Sequence, residues 1–442
     1  IDVSALSMNY GYSGTVTLSA AFMGSNALTI TGDLTVNSGT LLCAGDTSAI
    51  NAASGGSGEN PHGEGIIINA PNITVGVTGN VSADGQGFLS NEGPGAGEYA
   101  NDQGAGGSHG SIGGDGIAAA HGSTYGSVSA PTALGSGGAY NWSGVDTYGG
   151  AGAGAIKLVV SNTLTVDGTV SADGGNYTGG RAGGGSGGSV WIIAPTLTGS
   201  GSITADGGIG YGGEAGGGAG GRIALQWTTR TFDGTIRARG GSGWHAGRHG
   251  TIWVPSDKWN ELWNNTYHVN ASIALAPGEY TIADLNIDSD VTLECQADIE
   301  GNPPYGSGVI INATNINIPE TAAVSADGLG FRSNEGPGAG ESISDQGSGG
   351  SHGGIGGDGI AAAHGSTYGS VSEPTALGSG GAYNWSGVDT FGGAGAGAIK
   401  LVVSNTLTVD GTVSADGDRY IGGRTGGGAG GSVWIIAPTL TG

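Results

Sequence analysis

The sequence predicts an all-β chain, a parallel β-solenoid with long glycine-rich loop insertions. Three observations lead there. The chain repeats at two nested scales, its apolar residues fall in short β-branched clusters, and glycine or Asp-Gly punctuates those clusters at a regular interval.

Composition narrows the field first. Glycine supplies 100 of 442 residues and proline 13. Such a share would by itself indicate low complexity or disorder. Hydrophobic residues at 37% argue against that, and charged residues at 11% are too few for a charged tail. Helical bundles are disfavoured, because each glycine costs a helix roughly 1 kcal/mol relative to alanine. No Gly-X-Y register holds, which excludes collagen. The formal charge of -24 repels phosphate backbones and anionic lipid surfaces. Expected partners are therefore other copies of the chain, neutral polysaccharide or cations such as calcium, with no nucleic acid. No apolar run is long enough for a transmembrane helix, so no membrane insertion is expected. The sequence starts at Ile1 without a basic-then-apolar leader, which reads as a processed chain or a fragment.

The larger repeat relates residues 88–199 to 331–442 at a constant offset of 243, with 99 of 112 positions identical. Upstream, Thr40-Leu41-Leu42-Cys43 corresponds more loosely to Thr292-Leu293-Glu294-Cys295. The expected modules are 1–255 and 256–442. The second stops partway, as a section of a longer array would.

A shorter period runs inside each module. Ile156-Lys157-Leu158-Val159-Val160 leads through Leu164-Thr165-Val166 to Val170-Ser171-Ala172-Asp173-Gly174. The same order recurs from Ser189-Val190-Trp191-Ile192-Ile193 to Asp206-Gly207, and from Arg222-Ile223-Ala224-Leu225 to Arg239-Gly240. The corners Asp173, Asp206 and Arg239 are each 33 apart, while Asp84 and Asp327 precede Asp173 and Asp416 by 89. Each unit thus offers three short strands of alternating polarity, with glycines permitting the corners. So small a strand set buries its apolar face only by stacking on the next, about 4.8 Å away. The glycine-rich stretches 86–154 and 329–397 read as inserted loops, and loops so long are usually functional or disordered. Lys258 to Thr266 is the least repetitive stretch and marks the module boundary.

Gly216-Gly217-Gly218-Ala219-Gly220-Gly221-Arg222-Ile223-Ala224-Leu225 and Gly183-Gly184-Gly185-Ser186-Gly187-Gly188-Ser189-Val190-Trp191-Ile192 resemble the glycine-rich repeats of large bacterial cell-surface and secreted proteins. That resemblance implies a right-handed parallel β-helix, an extracellular or cell-surface location and an adhesin-like role.

Candidate sites follow from residue type. Stacked corner aspartates (Asp84, Asp173, Asp206, Asp327, Asp416) would repel one another unless N–H donors, water or calcium intervened. The simpler reading is an Asp-Gly turn residue bonding its own backbone, with Arg239 available to neutralise Asp206. Gly353 to Ala361 matches a calcium nonapeptide through Asp358, and Asp115 is its counterpart. His109, Asp115 and His121 recur at six-residue spacing as His352, Asp358 and His364, a set able in principle to bind zinc or relay protons. Asp115 with Asp146 is a conceivable carboxylate pair for glycoside cleavage. The inserted aromatics Tyr140, Trp142, Tyr383 and Trp385 are candidates for stacking on sugars. Cys43 and Cys295 are expected as buried free thiols, too far apart to bridge.

No grouping suits catalysis, so no catalytic residue is assigned. The expected function is a structural extracellular repeat protein, an adhesin stalk or a surface filament formed by end-to-end stacking. The alternatives are a carbohydrate-binding adhesin module and, third, a polysaccharide lyase or hydrolase.

Overall fold

The structure is a computed structural model describing residues 2–19, 27–47, 62–117, 119–140, 149–255, 258, 266–269, 273–275, 277–289, 291–299, 305–344, 346–382, 392–419 and 424–442. The chain divides into two compact units, Ile1–Pro255 and Ser256–Gly442. Among the described residues there is no α-helix, and almost every strand pair is parallel.

In unit 1 the strands Ile66–Ser82, Ala155–Val166, Ser189–Thr198, Arg222–Arg230 and Thr251–Trp253 pair in that order. Val190 pairs with Ile223 and Ile192 with Leu225, the 33-residue period expressed as register. A second ladder joins the end of Ile66–Ser82 to Thr169–Ser171, Ser202–Thr204 and Thr235–Arg237. On the other side, Leu34–Cys43 pairs with Ile66–Ser82 and itself receives Leu6–Met8 and Thr15–Leu18. A register shift between Ile193 and Thr196 separates the two halves of the long strand. One extra residue there bends a strand.

Unit 2 repeats the scheme. Gly278–Ile287, Val309–Ile318, Ala398–Val409 and Ser432–Ile436 form the long ladder. Ile273–Leu275, Thr292–Cys295, Ala323–Ser325 and Thr412–Ser414 form the short one.

Alternation explains the core. Ile156, Leu158 and Val160, then Val190, Ile192 and Ala194, then Ile223, Leu225 and Trp227 all point inward and are buried. Leu164, Leu197, Val170, Ile203 and Ile236 complete the apolar rows. Burying each large aliphatic side chain contributes about 1.5–3 kcal/mol.

The glycine-rich segments hold the largest departure from the sequence reading. They are extended threads bonded to one another, not loose loops. Along 183–188, Gly183 and Ser186 donate backbone N–H bonds to Ala139 and Ser136, Gly184 and Gly187 to Gly216 and Ala219, and Gly185 and Gly188 to Gly175 and Ala172, all at 2.8 to 3.0 Å. The donor direction returns every third residue. That is the periodicity of polyproline II backbone, which makes no internal hydrogen bonds. Here neighbouring threads take the place of water.

The thread 216–221 behaves alike. Gly216 and Ala219 donate to Gly104 and Gly107, Gly217 and Gly220 to His245 and Arg248, and Gly218 and Gly221 to Gly208 and Ala205. The described parts of 86–154 are members of this bundle, since Gly104 and Gly107 donate to Arg181 and Gly184. In unit 2, Gly347 and Gly350 likewise donate to Arg424 and Gly427.

This packing explains the composition. A Cβ on Gly184 would lie 2.0 Å from the Gly208 carbonyl oxygen, and one on Gly216 would lie 1.7 Å from that of Gly114. At these glycine positions the close approach leaves no room for a side chain, while Ser186 and Ala219 in the same threads bury small ones. The interior is satisfied by backbone bonding instead of apolar contact.

Candidate functional site

The short strands end at the corner aspartates, which form a zipper between rungs. Asp84 Oδ1 accepts the Asp173 backbone N–H at 2.8 Å, and its Oδ2 accepts the Ser171 hydroxyl at 2.9 Å. Asp173 does the same for the Asp206 N–H (2.7 Å) and the Thr204 hydroxyl (3.0 Å). Asp206 accepts the Arg239 N–H at 2.8 Å and Arg237 Nε at 2.6 Å. In unit 2, Asp327 accepts the Asp416 N–H at 2.6 Å and the Ser414 hydroxyl at 2.8 Å.

Two sequence readings change here. The carboxylates bond the following rung and not their own turn. The guanidinium on Asp206 belongs to Arg237, not to Arg239. Arg237 occupies the position of Ser171 and Thr204, whose side chains face the preceding aspartate. Arg239 occupies the aspartate position and contributes its backbone N–H.

Electrostatics single out Asp173. Burial raises its pKa to about 7, and the neighbouring Asp206 and Asp84 charges add to that against the bonds from Asp206 N–H and Thr204. Both oxygens of Asp84, Asp173 and Asp206 already accept hydrogen bonds. Among the described residues no three His, Cys, Asp or Glu side chains are grouped to hold a metal ion.

The six-residue His/Asp spacing resolves into two separate sites. His121 Nδ1 lies 2.7 Å from Asp115 Oδ1, which also accepts the His121 N–H. Burial would raise the Asp115 carboxyl, but His121 outweighs it and His245 adds to the effect, so its pKa is lowered. Asp358 and His364 repeat the pair at 2.5 Å. The Asp358 carboxylate of the nonapeptide match is therefore bonded to His364, beyond the end of the match at Ala361. Asp146 lies outside the described residues.

His109 sits elsewhere. It is fully buried, its Nδ1 lies 2.8 Å from the Gly187 carbonyl, and its ring tilts against Tyr125 at 4.8 Å. That bond assigns the proton to Nδ1. Burial, with the Arg222 charge nearby, depresses its pKa to about 3. Tyr125 stacks on His62 at 5.2 Å and donates to the Leu134 carbonyl at 2.5 Å. His352, Tyr368 and Tyr305 rebuild the same stack in unit 2.

Of the candidate sugar platforms, Tyr140 stacks on Tyr99 with centroids 6.0 Å apart. Trp142, Tyr383 and Trp385 lie outside the described residues. The sequence reading missed Tyr177, Tyr211 and Trp244, which sit where successive glycine threads turn back. The signal was present, since Tyr211 and Trp244 are one 33-residue period apart.

Cys43 and Cys295 are buried and free, and burial pushes the Cys43 thiol pKa up to about 12. Lys157 lies 3.6 Å above the Trp191 ring, and Lys400 lies 3.7 Å above Trp434. Comparison of the chain with protein-family models, curated proteins and solved structures gives no match.

Proposed function

We propose that the chain is a structural extracellular repeat protein whose parallel ladders are the faces of a β-solenoid. It serves as an adhesin stalk or a surface filament. The 33-residue register, continued from rung to rung by aspartate zippers and glycine threads, supports this reading most. From Leu164 to Arg237, successive rungs pair at the same 33-residue offset. Such an arrangement favours axial addition of like units, a heterologous contact that generates filaments. The resemblance to glycine-rich β-helix repeats points the same way.

Negative-stain electron microscopy with calcium, then with chelator, tests the reading. Uniform filaments support it, and their loss on chelation would assign the corner carboxylates a cation role. Isolated particles in both conditions would overturn self-assembly.

A further inference from the structure

We propose that the turning points of the glycine threads in unit 1 form a ridge that binds a neutral polysaccharide. The threads turn at 176–181, 209–214 and 242–246, and these turns are in register. The Tyr177 N–H donates to the Ile209 carbonyl at 2.9 Å, and the Gly210 N–H to the Ser242 carbonyl at 2.8 Å. The turns carry Tyr177, Tyr211 and Trp244, the last with His245 beside it. Tyr211 and Trp244 are 39% and 48% exposed, and Tyr177 meets Tyr211 edge-on at 5.8 Å.

Their backbones are fixed, because the Tyr211 N–H bonds Ala182 at 3.0 Å and the Trp244 N–H bonds Ala215 at 2.7 Å. The hairpin Tyr99–Ala100/Gln103–Gly104 abuts the same turns, with the Gly104 N–H bonding the Arg181 carbonyl at 2.8 Å. It brings Tyr99, 46% exposed and stacked on Tyr140, to this end of the threads.

Charge decides the ligand class. Arg181 Nε lies 2.6 Å from Glu214 Oε2, so the charged pair on these turns cancels. The chain as a whole carries -24 and repels polyanions. What remains on adjacent rungs, about 4.8 Å apart, is a pair of exposed rings, Tyr211 and Trp244, held on rigid backbone with the half-buried Tyr177 beside them. Ring faces of this kind suit the C–H faces of uncharged sugars, and phenol and indole edges supply hydrogen bonds. The proposal is independent of filament formation.

The test is retention on insoluble cellulose, chitin and β-1,3-glucan, with alginate as the polyanion, followed by titration with soluble fragments of whichever polymer binds. The expected result is retention on at least one neutral polymer and none on alginate. The pair Tyr211→Ala with Trp244→Ala should weaken binding at least about tenfold, or roughly 1.4 kcal/mol. The pair Tyr211→Phe with Trp244→Phe should keep most of the affinity. Circular dichroism should show both variants folded, since the changed side chains are exposed. No retention on any neutral polymer would overturn the proposal. So would equal retention by the alanine variant, or preference for alginate. Sedimentation showing that the alanine variant loses self-association, with no loss of retention, would reassign the ridge to contacts between copies.

Discussion

Gly184→Ala should destabilise unit 1 far more than the same change at Gly212, on a turn of the same unit. The two glycines differ in their surroundings. A Cβ at Gly184 would lie 2.0 Å from the Gly208 carbonyl oxygen, whereas at Gly212 it would meet nothing within 4 Å. Ordinary contact begins near 3.4 Å, so the Gly184 thread must shift by more than an ångström. A shift of that size breaks the bond from Gly208 N–H to the Gly185 carbonyl, now 2.8 Å, and strains the bonds to the other two neighbours. Overpacking costs about 1–3 kcal/mol. A buried donor or acceptor left unsatisfied adds about 1–3 kcal/mol. Against this, alanine restricts the unfolded chain and returns about 0.4–1 kcal/mol. The net expectation is a loss of about 3–4 kcal/mol for Gly184→Ala and a change within about 1 kcal/mol for Gly212→Ala. Urea unfolding followed by tryptophan fluorescence measures both. Equal effects at the two positions would refute the close-packed threads.

Three further outcomes follow from buried groups. Asp173 binds its proton more tightly when folded, so its charge costs most above pH 7 and stability rises as pH falls through that value. With a folded pKa of about 7 against 3.8 unfolded, the gain from pH 8 to pH 5 is roughly 3 kcal/mol, and urea titrations of Asp173→Asn should lack it. His109 has the opposite sign. Its folded pKa of about 3 against 6.5 means that stability is complete above 6.5 and falls below it, by about 2 kcal/mol at pH 5. His109→Asn, whose amide can still donate to the Gly187 carbonyl, should remove that acid loss in the same titrations. Cys43 and Cys295 should resist a thiol reagent in the native protein and react promptly in urea. Labelling of the native chain within minutes would place them outside the core.

Much of the strand architecture was legible in the sequence. The spacing of Asp173, Asp206 and Arg239 became the register that pairs Val190 with Ile223. Alternation marked the buried rows, because a strand side chain faces in or out with period 2. The glycine runs were not legible as structure. Their order depends on partners distant in sequence, as when Gly107 donates to Gly184 and Ala219 to Gly107, and no local pattern of side chains encodes that pairing. The sites show the same limit. Equal spacing made His109, Asp115 and His121 look like one constellation. The backbone buries His109 against Tyr125 and leaves Asp115 to His121. Arg237 was overlooked because the neutralising side chain lies in the serine and threonine row, not in the aspartate row.

The most direct test of the account is amide hydrogen exchange across the glycine threads. Ordered threads predict that peptides covering 183–189 and 216–222 exchange as slowly as those from the strand Ile66–Ser82, because nearly every N–H is donated to a neighbouring thread. Exchange there at the rate of a free chain, with the strands still protected, would contradict the bundle and return these segments to loops.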